Sequence, residues 1–443
     1  MIHCDCILQP EGRTNRAIMY AKELSLQNIG PFKEASLTFF EDNEKKPPVV
    51  LITGENGTGK SIILDAIRGI FGPQYCLLER DIRRSGTTEQ SIKMSGVVSY
   101  NSSTSLFSLE STGIMENKIR HADKLLPGID GLQLDAIPFH LYQSKEPGVC
   151  PNWILDYWPS SLASGQSYNI NSLANIDHYA FMRGTLQGTR EKSDLTQLIC
   201  HLDYLRDSRD PDEKHMAEHL WGMLERIFEL SLLDGGKLSH VARTTYDPII
   251  IQNGQQIRLG NLSSGNLYLV QHLLGLLRKM YSSHFIRKTP VENIGQTPGI
   301  LIIDEAENQL HPKWQKRFIS SILTLFPNLQ IIATTHSPFI ISSVPHARLF
   351  VCKAKTDYCE VVDETAEYAN RPVDEILMSP LFESTSPFNQ EITDIMARRK
   401  QAIQEDDQET KTKLEKQLKE LNPSYFSYLD IDDLIGDVLG KDA

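Results

Sequence analysis

From Tyr20 onward the chain alternates apolar and polar positions in short runs. Leu24, Leu26, Ile29, Phe32, Leu37 and Phe39 recur between Ala21 and Phe40, with Asn28, Gly30 and Pro31 in the middle. That spacing predicts two strands joined by a tight turn. Val49-Val50-Leu51-Ile52-Thr53 is a continuous β-branched run, the length and composition of a buried strand. It breaks into glycines, and Ser61 to Ile67 resumes with the apolar spacing of a helix. Arg80 to Arg84, and Ile92, Met94, Val97 and Val98 within Ser91 to Tyr100, predict a further antiparallel set. The Ser- and Thr-rich stretch Asn101 to Ser111 predicts a surface turn.

Between Pro151 and about Lys237 the period becomes helical. Leu195, Leu198, Leu202, Leu205, Leu220, Met223, Leu224, Ile227 and Phe228 recur three and four residues apart, without the sustained heptads of a coiled-coil arm. Ile249-Ile250-Ile251, Asn253-Gly254 and Ile257 predict a hairpin. Leu267, Val270, Leu273, Leu274 and Leu277 share one helix face, and Gly299 to Ile303 and Leu329 to Thr334 are two more buried strands. Strands interleaved with helices give an α/β fold. The spans are an irregular N-terminus over 1–19, a nucleotide-binding lobe over 20–150, a helical insertion over 151–240, a second lobe over 241–360 and a helical region over 361–443.

Composition narrows the picture. With 40% hydrophobic and 23% charged residues the chain is ordinary for a globular protein, and a net charge of −12 argues against a uniformly basic nucleic-acid binder. Cys4, Cys6, Cys76, Cys150, Cys200, Cys352 and Cys359 are scattered, unlike a disulfide framework. There is no signal-peptide core, and no apolar run approaches the roughly 20 residues that span a bilayer. A reduced, cytoplasmic protein without membrane contact is expected.

The chemistry concentrates where the strands end. Gly54-Glu55-Asn56-Gly57-Thr58-Gly59-Lys60-Ser61 has the G-x-x-x-x-G-K-S pattern between strand and helix. Gly54, Asn56, Gly57 and Gly59 let backbone N–H groups converge on phosphate, Lys60 reaches the β and γ phosphates, and the Ser61 hydroxyl is a magnesium ligand. Asp304 and Glu305 end the second buried strand. Asp304 is placed to support Mg2+, and Glu305 to polarise the attacking water as general base. The third strand ends at Thr335-His336-Ser337-Pro338, where His336 can contact the γ phosphate or the water; a lone strand-end histidine is more commonly structural. Ser263-Ser264-Gly265 opens a helix. It reads as a simple cap or as a second anion site, and since the glycine loop already serves one nucleotide, the second site suggests pairing across a dimer.

The ordered set of glycine loop, Leu262-Ser263-Ser264-Gly265, Asp304-Glu305, Glu307-Asn308-Gln309-Leu310-His311-Pro312 and Thr335-His336-Ser337-Pro338 resembles the ABC-type ATPases of the SMC and RecF-like group. The resemblance implies a mixed-sheet ABC-ATPase head with an antiparallel β subdomain. It also implies ATP and Mg2+ as ligands, and a head-to-head homodimer or higher oligomer in which Ser263 and Gly265 of one subunit cap the ATP on the partner's glycine loop. Ser264 stands where glycine is common and Asn266 where glutamine is common. For the lobe-connecting glutamine, a metal ligand in that group, Gln143 is the candidate.

Within the group, the Asp-Glu-Ala-Glu run, the compact insertion and the tail are similar to stand-alone ATPases of bacterial antiphage systems, of the Septu and retron kinds. That likeness implies an ATPase working beside a separate effector, typically an HNH-type nuclease, with DNA or retron nucleic acid as a further partner. The alternatives are an SMC/RecF-like DNA-repair ATPase, or an ATP-bound scaffold that sequesters an effector with negligible turnover. An OLD-type relative would add a Toprim nuclease. About a hundred residues follow Pro338, too few for that domain as well as the helices, and Asp430-Ile431-Asp432-Asp433 has no apolar strand before it. The charged helical stretch from Phe388 to Leu421 fits a solvent-facing hairpin and a partner dock equally.

Overall fold

A computed structural model of the protein describes residues 18–41, 44, 46–72, 78, 80–100, 103–115, 118–119, 151–160, 167–183, 188, 192–232, 235–382 and 388–429. The chain divides into two compact units, Met1–Val373 and Asp374–Ala443.

A ten-stranded sheet forms the first unit. Its strands are β1 (Met19–Ile29), β2 (Phe32–Thr38), β3 (Val50–Gly54), β4 (Ser91–Tyr100), β5 (Ser103–Ser111), β8 (Ile154–Trp158), β12 (Gly299–Ile303), β13 (Leu329–Thr334), β14 (Arg348–Ala354) and β15 (Cys359–Asp363). β6 (Ile114–Met115) and β7 (Lys118–Ile119) form a separate two-stranded ladder. The order across the sheet is β5-β4-β1-β2-β15-β14-β3-β13-β12-β8. From β14 to β8 every neighbour is parallel, and β1, β2, β4 and β5 pair antiparallel. This is the mixed α/β head, with an antiparallel wing, expected from the motifs. β3, β12 and β13 are buried at every position, which explains their predominantly apolar sequences.

Two turns form as the sequence predicts. The β1–β2 hairpin turns through Asn28 and Gly30, both with positive φ. β10 (Asp247–Gln252) and β11 (Gln255–Arg258) turn through Asn253 (φ 51) and Gly254 (φ 73), and with β9 (Lys237–Ala242) they make a three-stranded sheet.

Three expectations are corrected. Ser103–Ser111 is not a surface turn but β5, the end strand of the large sheet. Phe107, Leu109 and Ser111 face inward at a period of two, and the Ser99 and Thr104 hydroxyls pair across β4 and β5 at 2.9 Å. The serines masked a strand because a sheet's last strand tolerates hydroxyls. Arg80 to Arg84 contributes only a bridge between Arg83 and Ile29, not a strand. The span expected to be helical from Pro151 opens with β8, which joins the parallel block beside β12. Asp156 interrupts its apolar run and hid it; that carboxylate is fully buried against Lys279.

The described helices of six residues or more in the first unit are α1 (Lys60–Phe71), α2 (His178–Arg183), α3 (Lys192–Leu205), α4 (Pro211–Ser231), α5 (Ser264–Arg287), α6 (Pro312–Leu325) and α7 (Pro338–Ser343). Asp210 caps α4 by accepting from Asp212 N and Glu213 N. In the second unit α8 (Gln390–Gln404) and α9 (Gln408–Leu421) pack Ile392, Ile395, Leu414 and Leu418 with Phe426 and Leu429, and Arg399 pairs with the buried Glu415. Among the described residues no helix is long and apolar enough to cross a membrane. Cys200, Cys352 and Cys359 are free and buried.

Candidate nucleotide site

β3, β12 and β13 are parallel, so their carboxyl ends open on one edge of the sheet. The loops leaving that edge are 54–60, 304–311 and 335–337. In open parallel sheets, ligands gather at this edge.

Gly59 is the N-cap of α1 with φ +95, a left-handed conformation that favours glycine. A Cβ there would also lie 2.6 Å from Pro31 Cγ and 2.8 Å from Phe32 Cζ, so the tight approach excludes any side chain. The first turn of α1 carries no acidic residue, leaving its N–H groups and positive dipole end suited to an anion. Thr58 Oγ1 closes the loop on Glu55 O at 2.8 Å. Lys60 is buried and its Nζ donates to Gly54 O at 3.0 Å and Glu55 O at 2.7 Å. Burial holds its ammonium below the ordinary lysine range.

Ser61 Oγ donates to Asp304 Oδ1 at 3.0 Å, across 243 residues of sequence. Thr334 Oγ1 donates to the same oxygen at 2.7 Å and accepts from Glu305 N at 2.8 Å. One carboxylate and one hydroxyl thus converge as hard oxygen donors, the set that suits Mg2+. Gln143, the other expected ligand, lies outside the described residues.

Glu305 has φ 51, an uncommon conformation for a residue with a side chain. Its carboxyl is half-buried and held above the ordinary range, by burial first and then by Asp304 and Glu307. Asn308 Nδ2 donates to Ser160 O and approaches Glu305 Oε2 at 3.4 Å. His336 follows β13, and its imidazole is held below the ordinary range by burial and by Lys60, so the ring is neutral near pH 7.

Glu307 fixes that histidine in place. Its Oε1 accepts from His336 N and its Oε2 from Thr335 Oγ1, both at 2.7 Å. Gln315 adds a second bridge, donating to Leu310 O at 2.8 Å and accepting from Ser337 Oγ. Thr334 and Gln315 were not singled out from sequence, and Glu307 figured only as the start of the Glu307–Pro312 motif, without a role. The signals available were a hydroxyl closing a buried strand and a second glutamate two residues after Glu305.

The structure therefore brings Lys60, Ser61, Asp304, Glu305 and His336 to one edge. Asn56 and Gly57 are exposed in the glycine loop, and Gly54 ends β3. Ser263 and Ser264 are exposed at the start of α5, where Ser263 Oγ accepts from Asn266 N at 3.5 Å. Gly265 packs on the turn after β12. A Cβ there would meet Gln309 O at 2.7 Å.

Two family models match the chain. One, described as "AAA domain, putative AbiEii toxin, Type IV TA system", covers residues 163–342, and an "AAA domain" model covers 23–120. Among curated proteins, the Retron Vc95 probable ATPase of Vibrio cholerae is 35% identical over 105 residues, 24% of this chain and 20% of that protein. The Retron Ec83 probable ATPase of Escherichia coli is 27% identical over 28% of this chain and 22% of that one. Against these two the match spans about a fifth of the relative's length. The Septu protein PtuA of Bacillus thuringiensis is 24% identical over 74% of both chains. Among solved structures, the SMC head domain from Thermotoga maritima aligns at a TM-score of 0.40 and 16% identity, over 78% of this chain and 99% of that one. The chain thus resembles AAA-domain proteins, and in particular the probable ATPases of retrons and the Septu protein PtuA.

Proposed function

We propose that the protein binds ATP and hydrolyses it to ADP and phosphate. The observation that carries this is the joining of glycine loop and acidic strand end through Ser61 Oγ and Asp304 Oδ1, with Thr334 behind them. The glycine-loop N–H groups from Gly54 to Ser61 bind the phosphate chain, and Lys60 leaves its loop carbonyls for the β and γ phosphates. Mg2+, held by Ser61 and Asp304, would neutralise phosphate charge. Glu305 takes the proton of the attacking water. His336, neutral, orients that water or the γ phosphate.

The exposed Ser263 and the adjoining Gly265 serve a second copy of the chain. Two heads meet face to face, in a homodimer or a larger assembly, and the Leu262–Gly265 stretch of each, its signature loop, covers the nucleotide of the other. Closing and opening of that pair regulates a separate effector, an HNH-type nuclease, in defence against phage, with nucleic acid as the trigger or target. The relatives' names support this setting.

The experiment is phosphate release together with the mass of the particle in solution. Glu305→Gln should bind ATP, release no phosphate and accumulate as an ATP-dependent dimer. Persistent monomers with ATP would overturn the dimer, and a wild type without turnover, alone or with nuclease and DNA, would overturn the ATPase.

A further inference from the structure

The turn after β12 carries three residues whose surroundings differ. Glu305 faces the glycine-loop edge, Glu307 grips Thr335 and His336 through both carboxylate oxygens, and Gln309 lies under Gly265 at the start of α5. The turn is tightly built. Asn308 N donates to Glu305 O at 2.9 Å, Leu310 N donates to Glu307 O at 3.0 Å, and Glu305 and Gln309 both hold positive φ. Gln315 pins its far end to Ser337. The backbone bonds of the turn thus tie Glu305, Glu307 and the Gln309 stretch under Gly265 into one short closed segment.

Beyond β13 the amide of His336 itself is bonded to the turn, between Thr335 on the strand and Ser337, whose N donates to Thr335 Oγ1 at 3.0 Å. Thr335 N is bonded to Ile52 O at 3.0 Å, whereas the next amide, that of His336, goes to the Glu307 carboxylate. A charge-assisted bond of 2.7 Å on the main chain sets where the imidazole starts. The charged groups acting on the ring are Lys60 of α1, Asp304 at the end of β12 and Glu307 of the turn.

We propose that Glu307 is a positioning residue: it holds His336 in register with the turn that the signature loop of α5 rests on, so that the placement of the histidine follows the state of that loop. This rests on the ATPase reading for its consequence but not for its geometry. The carboxylate touches no reacting atom in this scheme; it acts through His336.

The test separates the two. In full-length protein with 15N-labelled histidine, assigned with His336→Gln, the His336 amide should resonate downfield and exchange slowly. In Glu307→Ala it should move upfield and lose protection by about tenfold or more. Glu307→Gln keeps a carbonyl acceptor and should keep the protection. An unchanged His336 amide in Glu307→Ala overturns the proposal even if no ATP is hydrolysed. In steady-state kinetics, Glu307→Ala should lower kcat by about tenfold or more with KM for ATP nearly unchanged. Glu307→Gln should recover most of it. The double variant Glu307→Ala/His336→Ala should be no slower than His336→Ala alone, whereas multiplied losses overturn action through His336. An absent wild-type turnover counts against the ATPase reading only, because the amide arm still decides the clamp.

Discussion

Gln330 on β13 pairs its side-chain amide with both backbone groups of Ala21 on β1, accepting from Ala21 N at 2.8 Å and donating to Ala21 O at 2.9 Å. The two strands are five places apart in the sheet order, so the sheet curls until its antiparallel wing meets its parallel block. β1 shifts register between Ala21 and Glu23, and the amide sits beside that irregularity. Gln330 and Ala21 are buried, and removing the amide leaves the Ala21 N–H and C=O without their partner. Gln330→Ala should cost about 2–6 kcal/mol, from about 1–3 kcal/mol for each orphaned group. Urea unfolding of the full chain measures this, and a loss under about 1 kcal/mol would show that the wing does not depend on the bridge.

A second long-range tie is the ion pair of Lys279 on α5 with Asp156 on β8, both essentially without solvent exposure. Asp156 Oδ1 also accepts from Tyr157 N and Oδ2 from Trp158 Nε1 at 2.9 Å. Trp158 O in turn accepts from Asp304 N, so α5, β8 and the strand end at Asp304 form one chain of bonds. Lys279→Met leaves the carboxylate buried and uncompensated and should cost about 3–5 kcal/mol. Asp156→Asn/Lys279→Met should recover part of that loss, because Asn still offers Trp158 Nε1 an acceptor. Denaturant midpoints of the four proteins in the cycle decide it; additive losses would mean the two side chains do not act as a pair.

The same residues show what could be read in the sequence. β3, β12 and β13 are apolar at nearly every position because both faces are covered, and that uniformity made them legible. The glycine loop was legible because Gly59 admits no side chain. β8 was missed for the opposite reason: Asp156 is tolerable in a buried strand only because Lys279, over a hundred residues on, neutralises it. Local pattern carries no trace of such a partner. β5 was missed because an end strand can be half hydroxyl. At the site, Asp304, Glu305 and His336 could be named from their position after apolar runs. Glu307 and Thr334 could not be given roles, since these depend on which strands become neighbours.

Thr334 joins that list with a direct consequence for turnover. Its hydroxyl donates to Asp304 and accepts from Glu305 N, fixing the expected metal ligand and the expected base at once. Thr334→Val keeps the shape and removes both bonds. The expected outcome is kcat lowered by roughly 10- to 100-fold, as for a misplaced catalytic group, with ATP affinity close to wild type. Thr334→Ser should restore turnover. An unchanged kcat in Thr334→Val would mean that the hydroxyl and its two bonds do not set turnover. Nucleotide titration beside phosphate release separates binding from chemistry.

The pH dependence follows from the two shifted groups at the strand ends. Glu305 must be ionised to act as a base, and burial with Asp304 and Glu307 nearby raises its pKa above the usual 4.5, against the opposing pull of Lys60 and Arg80. A raised pKa on a required carboxylate means that activity is present above that pKa and lost as the pH falls through it. The acid limb of kcat should therefore lie above the ordinary glutamate range. His336 shifts the other way, below 6.5, and stays neutral over the upper part of the same interval, so its titration adds no separate limb near pH 7. Glu307→Gln removes one of the negative charges raising Glu305 and should move the acid limb to lower pH. Initial rates from about pH 5 to about pH 8, with the fold followed by circular dichroism, give the limb directly. A limb that stays in place in Glu307→Gln would mean that the Glu307 charge does not reach the base, and a limb at ordinary glutamate pH would mean that Glu305 is solvated when it works.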